Sequence, residues 1–418
     1  MKLLTVILCG LLAWTPAVTD ADVVADWNGI MLTLIGDQPP PYQNRYAAIT
    51  QLAVFEAVNA VTGDYEPYLG TITPAPGASA RAAAASAAHG VLRHYFPDHA
   101  DRLDASLAES LGGIPDGPAR DGGIAVGEAA AAAMIRARAD DGSEPPEEHL
   151  PDSDAPGVWQ LTPDCPASGG LFAHWPHVRP FALRSGDQFR SDPPPKLTSG
   201  AYTWAYREVK AVGARESRER SQNRTDVVRM YALLSDAVLW NPIAVEIAAA
   251  RRSSLADTAR TLALLNMALS DGGVAVLDTK YHYDFWRPET AIVNAHADGN
   301  RKTHPDPSFE PFIPAPCFPS YPSGHATTSY AARAVLERSF GRGRHRVTVT
   351  SPALPGVVLK YTRLRQITAD IDDARVYGGI HFRFDQQEGA RQGTAIGAFI
   401  AEHSLRRKPA PPCDGAQR

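Results

Sequence analysis

Apolar residues recur at helical spacing along most of this 418-residue chain, and no comparable series of alternating apolar and polar positions appears. The stretches Arg45 to Val61, Ala78 to Tyr95, Ala125 to Ala139, Asp226 to Arg252, Leu255 to Leu277, His325 to Phe340 and Glu388 to His403 are rich in Ala and Leu, which hold helices well. The pattern predicts an all-α fold, a helical bundle. Residues 144–197 interrupt it with Pro, Gly, Asp and Ser. A structureless stretch of that length normally covers a site or wraps a surface, so it reads as an irregular strap around one bundle rather than a linker between two domains.

The organisation expected is a leader over 1–21, an N-terminal helical part over 22–143, the Pro/Gly-rich strap over 144–200, a helical core over 201–405 carrying the candidate site, and a flexible tail over 406–418. Lys2, the apolar run Leu3 to Trp14 and the small residues around Ala17 to Ala21 have the form of a signal peptide, which predicts a secreted or periplasmic protein. No other apolar stretch reaches spanning length by this reading, and the alanine run Ala129 to Met134 is short and flanked by Glu128 and Arg136. A net charge of −5 without a basic block argues against nucleic acid as a partner. No Gly-rich nucleotide loop or thiolate metal cluster is present. With Cys9 in the leader, Cys165, Cys317 and Cys413 allow at most one internal disulfide, and the sequence leaves the pair open.

Three segments carry chemistry. In Phe318-Pro319-Ser320-Tyr321-Pro322-Ser323-Gly324-His325, Pro322 and Gly324 shape a turn that delivers a histidine to a helix start. The free amides there, the Ser323 hydroxyl and the helix dipole make an anion site with His325 beside it as a proton carrier. In Lys280-Tyr281-His282-Tyr283-Asp284-Phe285-Trp286-Arg287-Pro288, two cations seven apart are predicted to share one helix face, with Pro288 at the helix end. In Arg375 to Asp385, Gly378 and Gly379 bend the chain between a guanidinium and His381. Asp385 follows His381 by four residues, within reach of its ring if the segment is helical. Such a carboxylate fixes the tautomer and leaves Nε2 free.

Lys, six residues, Arg-Pro; Pro-Ser-Gly-His; then Arg, five residues, His, three residues, Asp: in this order and spacing the chain resembles the superfamily that joins vanadium-dependent haloperoxidases to type-2 phosphatidic acid phosphatases. The wider stretches Tyr283 to Pro288 and Phe318 to Thr327 resemble the chloroperoxidase-type versions. Ala155 to Trp159, Trp175-Pro176, Arg179 to Phe181, Pro193 to Pro195 and Leu197 to Ser199 resemble the bacterial secreted haloperoxidase-like group. The resemblance implies an enzyme that uses vanadate, held on His381 as metal ligand, to oxidise halide with hydrogen peroxide to hypohalous acid. It implies that Lys280, Arg287, Arg375, Ser323 and Gly324 hold the oxyanion, that His325 handles protons, that Phe318 lies by the halide approach, and that Asp385 and Asp236 orient His381 and Arg375. Ala374 departs from the serine common before that arginine.

The same residues support the alternative, a secreted acid phosphatase without a metal cofactor. There a phosphate ester is the substrate, His381 forms a phosphohistidine and His325 protonates the leaving alcohol. A non-catalytic oxyanion-binding protein is the third class. It is disfavoured because burying three cations without an anionic ligand is costly.

Overall fold

The computed structural model describes residues 22–409. The leader over 1–21, Cys413 and the end of the expected tail lie outside the described residues.

Serine caps start many of the helices. The hydroxyls of Ser79, Ser199, Ser221, Ser254 and Ser323 each accept a first-turn amide. The chain runs α1 (Asp22–Ile35), α2 (Pro40–Thr62), α3 (Ala80–Tyr95), α4 (Ala100–Gly112), α5 (Pro118–Arg138), the strap, α6 (Gly200–Val212), α7 (Gln222–Leu233), α8 (Asp236–Arg251), α9 (Leu255–Tyr283), α10 (Pro288–Val293), α11 (Gly324–Phe340), β1 (Val347–Val349), β2 (Leu359–Tyr361), α12 (Leu364–Tyr377) and α13 (Arg383–His403). One antiparallel pair, β1 with β2 in the register Val347 opposite Tyr361, is the only named sheet among the described residues. The fold is all-α, as expected.

α9 is the axis of the core. It is buried nearly all round, from Leu255 to Lys280, the property of a helix enclosed by others rather than one lying on a surface. It corrects one sequence expectation, because α9 is long and apolar enough to cross a membrane by length and composition; 89% of its most apolar window is buried inside the protein. The main core draws on residues from Val23 to Leu405.

The helix expected over 226–252 is two helices bent by 98°. Leu234 and Ser235 are extended, and Ser235 takes the N-cap position of α8. That break puts Asp236 on the first turn of a new helix. The strap has two 3-10 turns, at Trp175–His177 and Gly186–Phe189, and isolated bridges that pair His149 with Gly170 and Val158 with Phe285. It is held by Asp271 of α9, whose carboxylate accepts the amides of Phe181, Ala182 and Leu183 at 2.6, 2.7 and 3.0 Å, and by a disulfide between Cys165 and Cys317. The first residues of the expected flexible tail are ordered. Glu66 N donates to Arg406 O at 2.8 Å and Lys408 N to Asp64 O at 2.9 Å, adding a short backbone pairing to the α2–α3 connection.

Two helices carry the site, and glycine sets their distance. Gly389, Gly393 and Gly397 recur every fourth residue along α13 on the side facing α11. A Cβ on Gly393 would stand 1.9 Å from the Thr327 carbonyl oxygen, and one on Gly397 2.3 Å from that of Ala331. The backbones therefore meet closely, which brings the start of α11 to the start of α13.

Candidate functional site

His325 opens α11 and His381 immediately precedes the N-cap of α13, so their packing brings both histidines to one end of the bundle. The two rings influence each other electrostatically, as do both with Lys280, Arg287 and Arg375. The structure thus gathers residues from α9, α11, α12 and two connecting turns into one buried site.

Lys280 and Arg287 do not share a helix. α9 ends at Tyr283, Asp284 caps it in the left-handed region at φ 46°, and Arg287 is the N-cap of α10, with Pro288 at that helix's first position. The turn achieves what a continuous helix was expected to do. Lys280 Nζ donates to the carbonyls of Pro319 and Ser320 at 2.8 and 2.7 Å, while Arg287 Nε donates to that of Phe318 at 2.9 Å. Both cations read the same three-residue backbone, and the Phe318 ring lies 5.2 Å from Lys280 Nζ and 5.1 Å from the Arg287 guanidinium carbon.

His381 and Asp385 meet by a different geometry from the helical one expected. His381 precedes α13, and Asp385 is at the third position of that helix, where its Oδ2 also accepts the Phe382 amide at 3.1 Å. The same oxygen takes His381 Nδ1 at 2.8 Å and the Ser320 hydroxyl at 2.6 Å. Nδ1 is thereby the donor, and Nε2 presents its lone pair toward Arg287 Nη1 at 3.1 Å. Of the two glycines before it, only Gly379 has a positive φ, 82°, and a Cβ there would lie 2.3 Å from Gly213 O. Gly378 packs tightly against Ile313 instead.

Arg375, near the end of α12, donates to Tyr231 O at 3.4 Å and faces the Asp236 carboxylate at the start of α8. Thr328 and Ser329 of α11 also face that carboxylate. Ser323 accepts the Ala326 amide at 3.4 Å, which leaves its own hydroxyl hydrogen to donate outward. The amides of Gly324 and His325 begin α11 and have no intrahelical acceptor. Ala374 packs in the main apolar core.

Electrostatics fit an anion. Lys280, Arg287 and Arg375 expose only 1%, 0% and 5% of their surface, so little water screens them. Burial, then mutual repulsion with Arg287 and Arg375, pushes the Lys280 ammonium well below its usual range. Burial lowers Arg287 to about 9 and Arg375 to about 10. It also carries both histidines well below their ordinary value, with the three cations adding to it. Asp385 and Asp236 are raised by burial, to about 6 and about 7. Every shift acts to shed positive or negative charge that has lost its water. Arg287 Nη2 and Arg375 Nε are buried with no partner among the described residues. An oxyanion would satisfy both, so the residues present fit vanadate or phosphate.

Ser320 was missed by sequence reasoning. It lies inside the first quoted segment, but no spacing rule marks a hydroxyl five residues before a histidine as the partner of a carboxylate 65 positions later. Phe172 of the strap was missed for a similar reason. Its ring centroid is 6.4 Å from that of Phe318, and its backbone is held at φ 65°, uncommon for an aromatic residue. The disulfide to Cys317 and the Leu171 N to Cys317 O bond at 2.8 Å place it there.

Bundle and site together define a helical protein with a buried cationic pocket suited to an oxyanion. Comparison with known proteins narrows this. Residues 260–407 match the family model described as the VCPO second helical-bundle domain. The vanadium chloroperoxidase of Curvularia inaequalis is 35% identical over 97 residues, 20% of this chain and 15% of the relative's length. A bacterial vanadium-dependent iodoperoxidase superposes with a TM-score of 0.78 at 26% identity, over 94% of this chain and 98% of that one. A bacterial vanadium-dependent chloroperoxidase in its holo form gives 0.70 at 18% identity, over 87% and 91%, a likeness of fold. Residues 260–407, which carry the site, are similar to that family's helical-bundle domain, and these findings support the superfamily of the vanadium-dependent haloperoxidases.

Proposed function

We propose that this protein is a vanadate-dependent haloperoxidase that oxidises halide with hydrogen peroxide to hypohalous acid, with vanadate held at His381 Nε2. The oxyanion reading rests on the trio of desolvated, mutually repelling cations around a histidine whose other nitrogen is fixed by Asp385, and the likeness to vanadium haloperoxidases favours vanadate over a phosphate ester. Held there by His381 and the three cations, vanadate would supply Lewis acidity toward peroxide without a change of oxidation state.

The chain's own residues do the rest. Asp385 holds the Nδ1–H tautomer and raises the donor strength of Nε2. Lys280, Arg287 and Arg375 neutralise the oxyanion oxygens, with the Ser323 hydroxyl and the Gly324 amide as further donors. Asp236, whose carboxylate faces Arg375, orients that guanidinium. His325 is neutral before the anion binds, which suits it to accept a proton from incoming peroxide and return it to the leaving oxygen. Phe318, with Phe172 behind it, lines the halide approach with apolar edges. The Cys165–Cys317 disulfide supports a secreted or periplasmic location, where such bonds persist.

The test is a paired assay of one preparation. Halogenation of a phenolic dye with peroxide, bromide and vanadate should proceed, and phosphate release from an aryl phosphate without vanadate should stay at background. Ester hydrolysis that vanadate inhibits, with no halogenated product, would make the protein the phosphatase of the same superfamily.

A further inference from the structure

This acidic chain has no basic block along its sequence, yet the fold assembles one. Three helices have a site residue at one end and an arginine-rich end at the other. α8 runs from Asp236 to Arg251, α11 leads from His325 toward the Gly341–Arg346 loop, and α12 is preceded by Arg363 and ends near Arg375. At 1.5 Å per residue these ends stand roughly 15 to 25 Å from the oxyanion site. Two cavities open there on either side of the buried His345. One, of about 630 Å³, is lined by Arg251, Arg344 and Arg346; the other, of about 560 Å³, by Arg363 and Arg365. These five guanidinium groups are exposed and form no ion pair among the described residues. Of the two carboxylates that line the cavities, Glu337 is already engaged by Arg333 and Arg342.

We propose that this far face is a docking surface for a linear anionic polysaccharide, which holds the protein with its oxyanion site turned away. Unpaired arginines, rather than lysines, suit carboxylate and sulfate groups because the planar fork binds them in pairs. Two cavities sharing one wall fit a chain that passes from one to the other. Neither is lined by a Trp, Tyr or Phe that would anchor it in a lipid interface. The chain's net charge of −5 is more negative still once this face is set aside, which opposes close approach of a broad anionic surface or of duplex DNA. The proposal does not depend on the reaction catalysed.

The experiment measures binding of the full chain to fluorescein-labelled dextran sulfate, polygalacturonate and neutral dextran, with phosphatidylglycerol vesicles and duplex DNA as rivals, at low and raised NaCl. Either acidic polysaccharide should bind and weaken with salt, and neutral dextran should not; the two acidic arms tell sulfate from carboxylate. The triple variant R344E/R346E/R365E should lose at least tenfold in affinity with unchanged helical circular dichroism. The milder R251Q/R363Q should lose several-fold, which covers the case in which the triple variant misfolds. His381→Ala should bind as wild type. Tighter binding to vesicles or DNA, undiminished affinity in both arginine variants, or loss of binding in His381→Ala would overturn the proposal.

Discussion

His381 Nδ1 stands 2.8 Å from Asp385 Oδ2, and that single oxygen also holds the Ser320 hydroxyl and the Phe382 amide. The carboxylate therefore fixes the ring of one residue and the start of the helix it belongs to. Asp385→Asn should lower vanadate affinity about 10- to 100-fold, the usual effect of losing such a partner. Ser320→Ala should cost less, about 1 kcal/mol of binding. Equilibrium dialysis against vanadate checks both, and equal losses in the two variants would show that Ser320 does more than support Asp385.

Anion binding should draw in protons. Lys280 and both histidines are held below their ordinary values by burial and by the neighbouring cations. A bound anion favours their charged forms and raises those values again. Sulfate, which does not titrate near neutrality, should bind with net proton uptake at pH 8 and lose affinity as pH rises. Calorimetry in buffers of different ionisation enthalpy reads the uptake, and a value of zero would mean that these groups do not face the anion.

The depressed histidines also set a sign for stability. A base whose folded value lies below its unfolded one binds more protons when unfolded, so stability falls as pH drops through the unfolded value near 6.5. Asp385 and Asp236, raised to about 6 and 7, act oppositely and favour the fold below those values. Relative to the wild type, vanadate-free His325→Ala should therefore lose less thermal stability, or gain more, as pH falls through about 6.5. An identical profile in that variant would remove His325 from the buried cluster.

Gly393→Ala should destabilise the protein by about 1 to 3 kcal/mol, the range for overpacking, because its Cβ would overlap the Thr327 carbonyl. Gly273→Ala, in the middle of α9 with nothing within 4 Å of the added Cβ, should be stabilising by about 0.5 to 1 kcal/mol. Denaturant midpoints compare them. A tolerated Gly393→Ala would mean that the α11–α13 crossing does not set the distance between the histidine-bearing ends.

The ordered motifs made the site legible because each functional group sits in a short segment of fixed spacing. Asp236 came from the family resemblance, and the structure sets its carboxylate against Arg375. What spacing did not reveal were the turns that aim those groups: the left-handed Asp284 that ends α9 before Arg287, and the extended Leu234–Ser235 that starts a new helix at Asp236. Ordinary residues take those conformations because tertiary contacts hold them. α12 was also missed, since LRQITADIDDARVY mixes β-branched and acidic residues of modest helix propensity, and it is burial of Leu364, Ile367 and Ile371 that holds it. Phe172 and Ser320 reach the site only through long-range pairing, which no local pattern encodes.

If vanadate on His381 makes this protein a haloperoxidase, its activity must follow vanadate occupancy in a titration of the metal-free protein. Bromination of a phenolic dye at fixed peroxide and bromide should rise from background to saturation at one equivalent of vanadate. The same titration of His381→Ala should stay flat, and added phosphate should shift the wild-type curve to higher vanadate. Activity that does not depend on vanadate, or a His381→Ala curve that saturates like the wild type, would contradict the account.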